Sequence, residues 1–177
     1  MPRVACCALF TKGEYAAGMS EQKTVPTLYE WAGGSPALER LFVRFYQRVP
    51  AEPLLRDVFA QMDPHHAQHV AVFVGEVLGG PKVYSEEHGG HAHMIRKHMG
   101  RNLTDEQRRR WMSLLLETAD EVGLPDDPEF RSAFVGYLEW GSRLAVINSK
   151  LDPAATEDTT APMPQWSWGA VGGPYQG

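Results

Sequence analysis

Seven histidines, His65, His66, His69, His88, His91, His93 and His98, fall within thirty-four consecutive residues of a 177-residue chain. Imidazole titrates near neutral pH and is the commonest side-chain metal ligand, so this grouping favours a site over scattered surface use. The seven are not equivalent. His65 and His69 fall on a helix face suited to water, and His88, His91 and His93 belong to a polar stretch. His66 and His98 each share a face with apolar residues: His66 with Val70 and Phe73 at i, i+4 and i+7, and His98 with His91, Met94 and Ile95 over two helical turns. One imidazole on an apolar face is usually a satisfied core residue, whereas two such faces beside a large aromatic set describe a shared cavity.

The elements that must position these groups are helical. Thr27–Ala32 is a short helix closed by Gly33-Gly34, and Ser35-Pro36 reads as an N-cap followed by proline at the first helical position. Leu38, Leu41, Phe42, Phe45, Tyr46 and Val49 then form one apolar stripe, and a shorter apolar segment covers Pro53–Phe59. Asp63-Pro64 repeats the cap-then-proline signal ahead of a stripe of Ala67, Val70, Ala71, Val74, Val77 and Leu78, stopped by Gly79-Gly80-Pro81. Residues 82–90 read as loop. Thr104 and Gln107 form a capping box for a helix striped with Trp111, Leu114, Leu115, Thr118, Ala119 and Val122, ending at Gly123. Asp127-Pro128 opens the last helix, whose face of Phe130, Ala133, Phe134, Tyr137, Gly141 and Leu144 runs to about Asn148.

No strand alternation and no repeat interrupts this pattern, so the chain is expected to be all-α. Three parts are expected: a flexible extension over 1–25, a folded domain over 26–150 and an irregular tail over 151–177, which Trp166 and Trp168 can dock on the domain. A net charge of −5 argues against nucleic acid or an anionic membrane as the main partner. No run approaches the roughly 18 apolar residues of a membrane span. The N-terminus is a poor secretory signal, and the adjacent Cys6 and Cys7 build no disulfide framework, which makes the cytoplasm the expected location.

A set of motifs carries a family resemblance. Arg44-Phe45-Tyr46, Gly79-Gly80-Pro81 followed by Tyr84-Ser85-Glu86-Glu87-His88-Gly89, Arg96-Lys97-His98, and Trp111 thirteen residues on resemble a truncated haemoglobin of group II, over about Pro26 to Ser149. The resemblance implies a two-over-two helical sandwich around haem b, with His98 as the iron ligand. It further implies that Tyr46, His66 and Trp111 cover bound gas, with Phe59, Val70 and Phe73 as apolar wall and Met94 beside the ligand. His69, Tyr84, Arg96 and Lys97 are the candidates to hold the haem propionates. Many members carry a small residue where His66 sits and a tyrosine at the position of Phe59, so the distal hydrogen-bond pattern is expected to differ here.

An axial imidazole should be buried with its second nitrogen hydrogen-bonded, and bound dioxygen gains negative charge that an indole N–H, a hydroxyl or an imidazole can meet. The implied ligands are dioxygen, nitric oxide or another small molecule, with an unidentified reductant and a second copy of the chain as partners. Three donors would slow release, which favours redox chemistry, as in a nitric oxide dioxygenase or a peroxidase, over a simple oxygen carrier. Two other classes compete. One is a zinc site of His65, His66 and His69 with His91 or His93, which lacks nearby carboxylate or cysteine ligands at recognisable spacing; the other is a helical interaction module without cofactor.

Overall fold

The computed structural model describes residues 24–155 and 161–174. Among them every regular element is a helix: α1 (Leu28–Trp31), α2 (Gly34–Arg48), α3 (His66–Val77), α4 (Val83–Glu87), α5 (Gly90–His98), α6 (Asp105–Glu121) and α7 (Pro128–Asn148), with short 3-10 turns at Val49–Ala51, Pro153–Ala155 and Gly169–Val171. The most extensive packing joins α2 to α3; α6 packs on α2 and α7, and α5 on α4 and α7. Two helix pairs, α2/α3 and α6/α7, therefore face each other.

Their interface is built from the stripes. Leu38, Leu41, Phe42 and Phe45 of α2, Leu114, Leu115 and Ala119 of α6, and Phe130 and Phe134 of α7 are fully buried, and Phe130 stacks on Phe134. Removing any of these large side chains from water is worth about 1.5–3 kcal/mol. The one hydroxyl among them, Thr118, donates to the Leu114 carbonyl at 2.6 Å and accepts from Arg48, so the core carries no unmet polar group there.

Helix starts differ in their legibility. Thr104 and Gln107 form the reciprocal box that begins α6, and Asp127 caps the Phe130 N–H ahead of Pro128 in α7. Thr27 and Glu30 make a second box on α1. Two starts are shifted. Helix α2 begins at Gly34 rather than after Ser35, because Gly33 takes a left-handed conformation as its N-cap and the Ser35 N–H is met by the Tyr29 hydroxyl at 3.0 Å. Asp63 receives the His65 and His66 N–H groups in a turn, so α3 begins at His66, two residues beyond Pro64. Residues 53–61 are a run of turns, with Leu55 buried and Leu54 exposed.

The stretch 82–90, expected as loop, contains α4. No side chain of its own caps it; instead the buried Glu76 carboxylate of α3 accepts the Ser85 N–H at 2.9 Å and the Ser85 hydroxyl. An α-helix leaves its first N–H groups unpaired, and here a different helix supplies the acceptor.

The described part of the tail is irregular and docked. The Trp166 N–H donates to the Val77 carbonyl at 2.8 Å, and the Trp168 indole donates to the Pro26 carbonyl at 2.7 Å and packs edge-on against Trp31. Residues 1–23 of the expected extension lie outside the described residues. None of the described helices is long and apolar enough to cross a membrane.

Candidate functional site

A cavity of about 760 Å³ opens between α3, α5, α6 and α7, within the ~300–1,000 Å³ of large-ligand sites. One wall is polar within an apolar frame. Tyr46 comes from α2, His66 from the first residue of α3 and Trp111 from the second turn of α6, and all three line the cavity with Phe59. The Tyr46 hydroxyl lies 3.0 Å from His66 Nε2, and the two rings meet edge-on. Phe59 stands against Tyr46, and Trp111 against Phe45. The stretch bearing Phe59 is tethered by Glu52, which takes a two-pronged pair from Arg110, the residue before Trp111.

Burial sets the proton chemistry here. It raises the Tyr46 phenol well above its usual range, an effect the neighbouring Trp111 indole partly offsets. It lowers the His66 imidazole to about 4, with Arg101 and His69 adding to the effect. Tyr46 is therefore a neutral hydroxyl and His66 a neutral imidazole with a single N–H at physiological pH.

The opposite role falls to α5. His98 ends this helix and its Nδ1 lies 2.9 Å from the Met94 carbonyl. A carbonyl only accepts, so Nδ1 carries the proton and Nε2 keeps a bare lone pair, the state in which imidazole ligates a metal. Burial holds the His98 proton affinity down, which keeps that lone pair free. His91, Met94, Ile95 and His98 all line the cavity. Helix α5 has no fully buried residue, and Met94 and Ile95 of its apolar face line the cavity.

The remaining expected residues divide. Val70, Phe73, His69, Tyr84 and Lys97 line the cavity, with Tyr84 buried edge-on against Phe73. Arg96 is exposed and stands off the wall, whereas Arg101, and Arg108 of α6, line the cavity. Arg96 is on α5 two residues before His98, whereas Arg101 lies beyond the helix end, after the chain has turned at Gly100 with φ of +71°. Tyr137, Gly141 and Ala145 of α7 and Pro164 of the tail also line the cavity. The α7 residues are indistinguishable in sequence from a core stripe, and Pro164 had only the nearby tryptophans to signal it. The zinc alternative is not assembled: among the described residues no group of three or more His, Cys, Asp or Glu is placed to hold a metal ion.

An imidazole with a bare nitrogen, an apolar slot and a compact set of donors on a two-pair helical sandwich define a globin-type cofactor pocket. The chain belongs to the bacterial-like globin family, whose model matches residues 27–139, and within it to the truncated haemoglobins of group 2. It is 34% identical to a group 2 truncated haemoglobin of Bacillus subtilis, an alignment covering 67% of this chain and 88% of that protein. The crystal structure of a truncated oxygen-avid haemoglobin from Bacillus subtilis is 33% identical, with a TM-score of 0.61 over 68% of this chain and 99% of that one. The group II truncated haemoglobin of Bacillus anthracis is 25% identical, with a TM-score of 0.64 over 78% of this chain and 98% of the other. The fold is the two-over-two globin sandwich and the cofactor is haem iron, haem b in the family's usual form. The residues present fit that group. His98 offers the bare nitrogen, Val70, Phe73, Met94 and Ile95 give apolar faces, and Lys97 and Arg101 supply cations for carboxylates.

Proposed function

We propose that this chain captures dioxygen at haem held by His98 and uses it in redox chemistry on a second small molecule, nitric oxide first among them. Haem supplies the redox-active iron. Nitric oxide, dioxygen and one electron give nitrate, and the electron comes from an external one-electron reductant. The protein's contribution is a donor set aimed at negative charge developing on the captured gas. The Trp111 indole can only donate. The Tyr46 and His66 groups share one hydrogen bond, so they do not act as independent donors. With Nε2–H on His66 the imidazole donates to the Tyr46 oxygen, which frees the Tyr46 proton for the ligand. Anionic character on the ligand selects this arrangement, with Tyr46 the donor and His66 the group that aims it. Phe59, Val70 and Phe73 exclude water around it, and Lys97 and Arg101 hold the haem carboxylates. Tyr84 and His69 line the same cavity. The cytoplasm, where reductants are available, suits such a reaction.

The observation that carries this reading is the Tyr46–His66 pair beside Trp111 in the same cavity as the bare nitrogen of His98. Tight retention is poorly suited to a carrier, which must release. The test is single-turnover mixing of the dioxygen-loaded protein with nitric oxide. Stoichiometric nitrate formed within the mixing time supports the reading, and nitric oxide that merely displaces dioxygen refutes it. His98→Ala should lose stoichiometric haem and its Soret band, while His93→Ala keeps both.

A further inference from the structure

The helix that carries His98 is weakly held by the globin segment itself. Gly89 and Gly90 enter it with φ of +76° and +63°, and Gly100 and Asn102 leave it with φ of +71° and +52°. Both ends are thus built from left-handed residues, which act as pivots more readily than a capped helix does. No residue of α5 is fully buried, and within the globin segment its main packing is on α4 and α7, with the His91 ring 6.2 Å from that of Phe73 in α3. Beyond its C-terminal end the chain is fastened, Gly100 N–H to the Leu151 carbonyl and Asn102 N–H to the Ser149 carbonyl. Its N-terminal end is fastened elsewhere: His91 Nδ1 lies 2.9 Å from the carbonyl of Pro162 in the tail.

From that point the tail passes beside the cavity and touches it at Pro164. Met163 packs on the core, Pro164 lines the cavity wall, the Trp166 N–H pairs with the end of α3 and the Trp168 indole with Pro26. Trp166 lies over Gly136, where an added Cβ would meet its ring at 3.5 Å, and packs against Tyr137 and Trp140. The segment therefore bridges α5 to α3, α7 and the start of α1, and it lies beyond residue 139, where the family match ends.

We propose that residues 162–168 are a strap that completes the haem pocket from outside the globin segment, with His91 as its latch, and that this strap positions α5 and hence His98. His91 is a positioning residue: it acts on the ligand nitrogen through the helix the two share. The carbonyl of Pro162 only accepts, so His91 donates from Nδ1. An asparagine at 91 places an N–H₂ at the equivalent position and preserves the latch, whereas phenylalanine keeps a ring of similar size and loses it.

The test has an arm without haem and an arm with it, both on the full chain. In the apoprotein, amide hydrogen exchange over residues 90–98 should be about threefold faster or more in His91→Phe, the scale of one net hydrogen bond. Exchange in α2 and α6 should be unchanged, and His91→Asn should restore protection. In the haem-loaded protein, transfer of haem to an excess of an apoglobin acceptor should accelerate by a similar factor in His91→Phe and not in His91→Asn. Trp168→Phe removes the anchor at the far end, and should loosen α5 although it touches neither α5 nor the cavity. The inference is overturned if α5 exchange in His91→Phe matches the parent, if His91→Asn behaves as His91→Phe, or if Trp168→Phe leaves α5 unaffected. The apoprotein arm decides this independently of what the haem does, so its failure is distinguishable from failure of the nitric oxide reading.

Discussion

Removing the Tyr46 hydroxyl is the sharpest perturbation of the donor set. Tyr46→Phe keeps the ring, which is buried against Phe45 and Phe59, so packing is preserved and one oxygen is lost. That oxygen is the partner of His66 Nε2 at 3.0 Å. Its net contribution to holding a ligand is about 0.5–1.5 kcal/mol, more if the acceptor is charged, which makes dioxygen release roughly two- to twelvefold faster. Trp111→Phe should raise the rate by a comparable factor, and the double variant should fall short of the product because both donors share one ligand. Stopped-flow displacement of dioxygen reads all three. His66 separates the roles: if it aims the Tyr46 proton, His66→Ala should raise the off-rate alone and by less than Tyr46→Phe, whereas a rise in both on- and off-rates would make it a gate. Unchanged off-rates in both Tyr46→Phe and Trp111→Phe would refute the donor assignment.

Other outcomes are expected from the same geometry. The His66 imidazole is lowered by burial from 6.5 to about 4, so the unfolded chain takes up its proton first; its share of apoprotein stability is full above about pH 6.5 and lost as pH falls towards 4. Melting temperatures should drop across that window and drop less in His66→Leu, and an equal drop would count against the buried neutral imidazole. Gly80→Ala should destabilise by about 1–3 kcal/mol, because the new Cβ would sit 2.8 Å from the Gly75 carbonyl oxygen and from the Tyr29 ring; denaturant unfolding measures it. Thr104→Ala breaks the α6 capping box and should cost about 1 kcal/mol in the same assay. Deleting residues 1–24 should leave haem stoichiometry unchanged, read from the Soret absorbance per chain.

What the sequence disclosed about this molecule tracks how local the determinants are. The Phe42/Phe45 and Leu114/Leu115 stripes and the box at Thr104 are encoded within a few neighbouring residues, and each appears where its spacing places it. Helix α4 was invisible because its cap is Glu76, nine residues before Ser85 and on another helix. Arg96 and Arg101 both flank His98, but Arg96 is on α5 and Arg101 follows the left-handed turn at Gly100, which the sequence pattern did not resolve; Arg101 is the one of the two that lines the cavity. Tyr137 and Gly141 read as core because a residue facing a cofactor and one facing another helix have the same apolar period. The Tyr46–His66 hydrogen bond joins residues twenty apart on two helices, so their types suggested two separate donors where the structure has the two groups paired with each other.

The apolar face of α5 has a consequence for the life of the protein in a cell. With Met94 and Ile95 turned into the cavity, part of the hydrophobic interior is supplied by a molecule the ribosome does not make. A ligand that binds only the folded chain stabilises it by RT ln(1 + [L]/Kd), and small changes in stability alter steady-state abundance through proteolysis. On these grounds the chain without haem is expected to be the less stable form and the more readily proteolysed one.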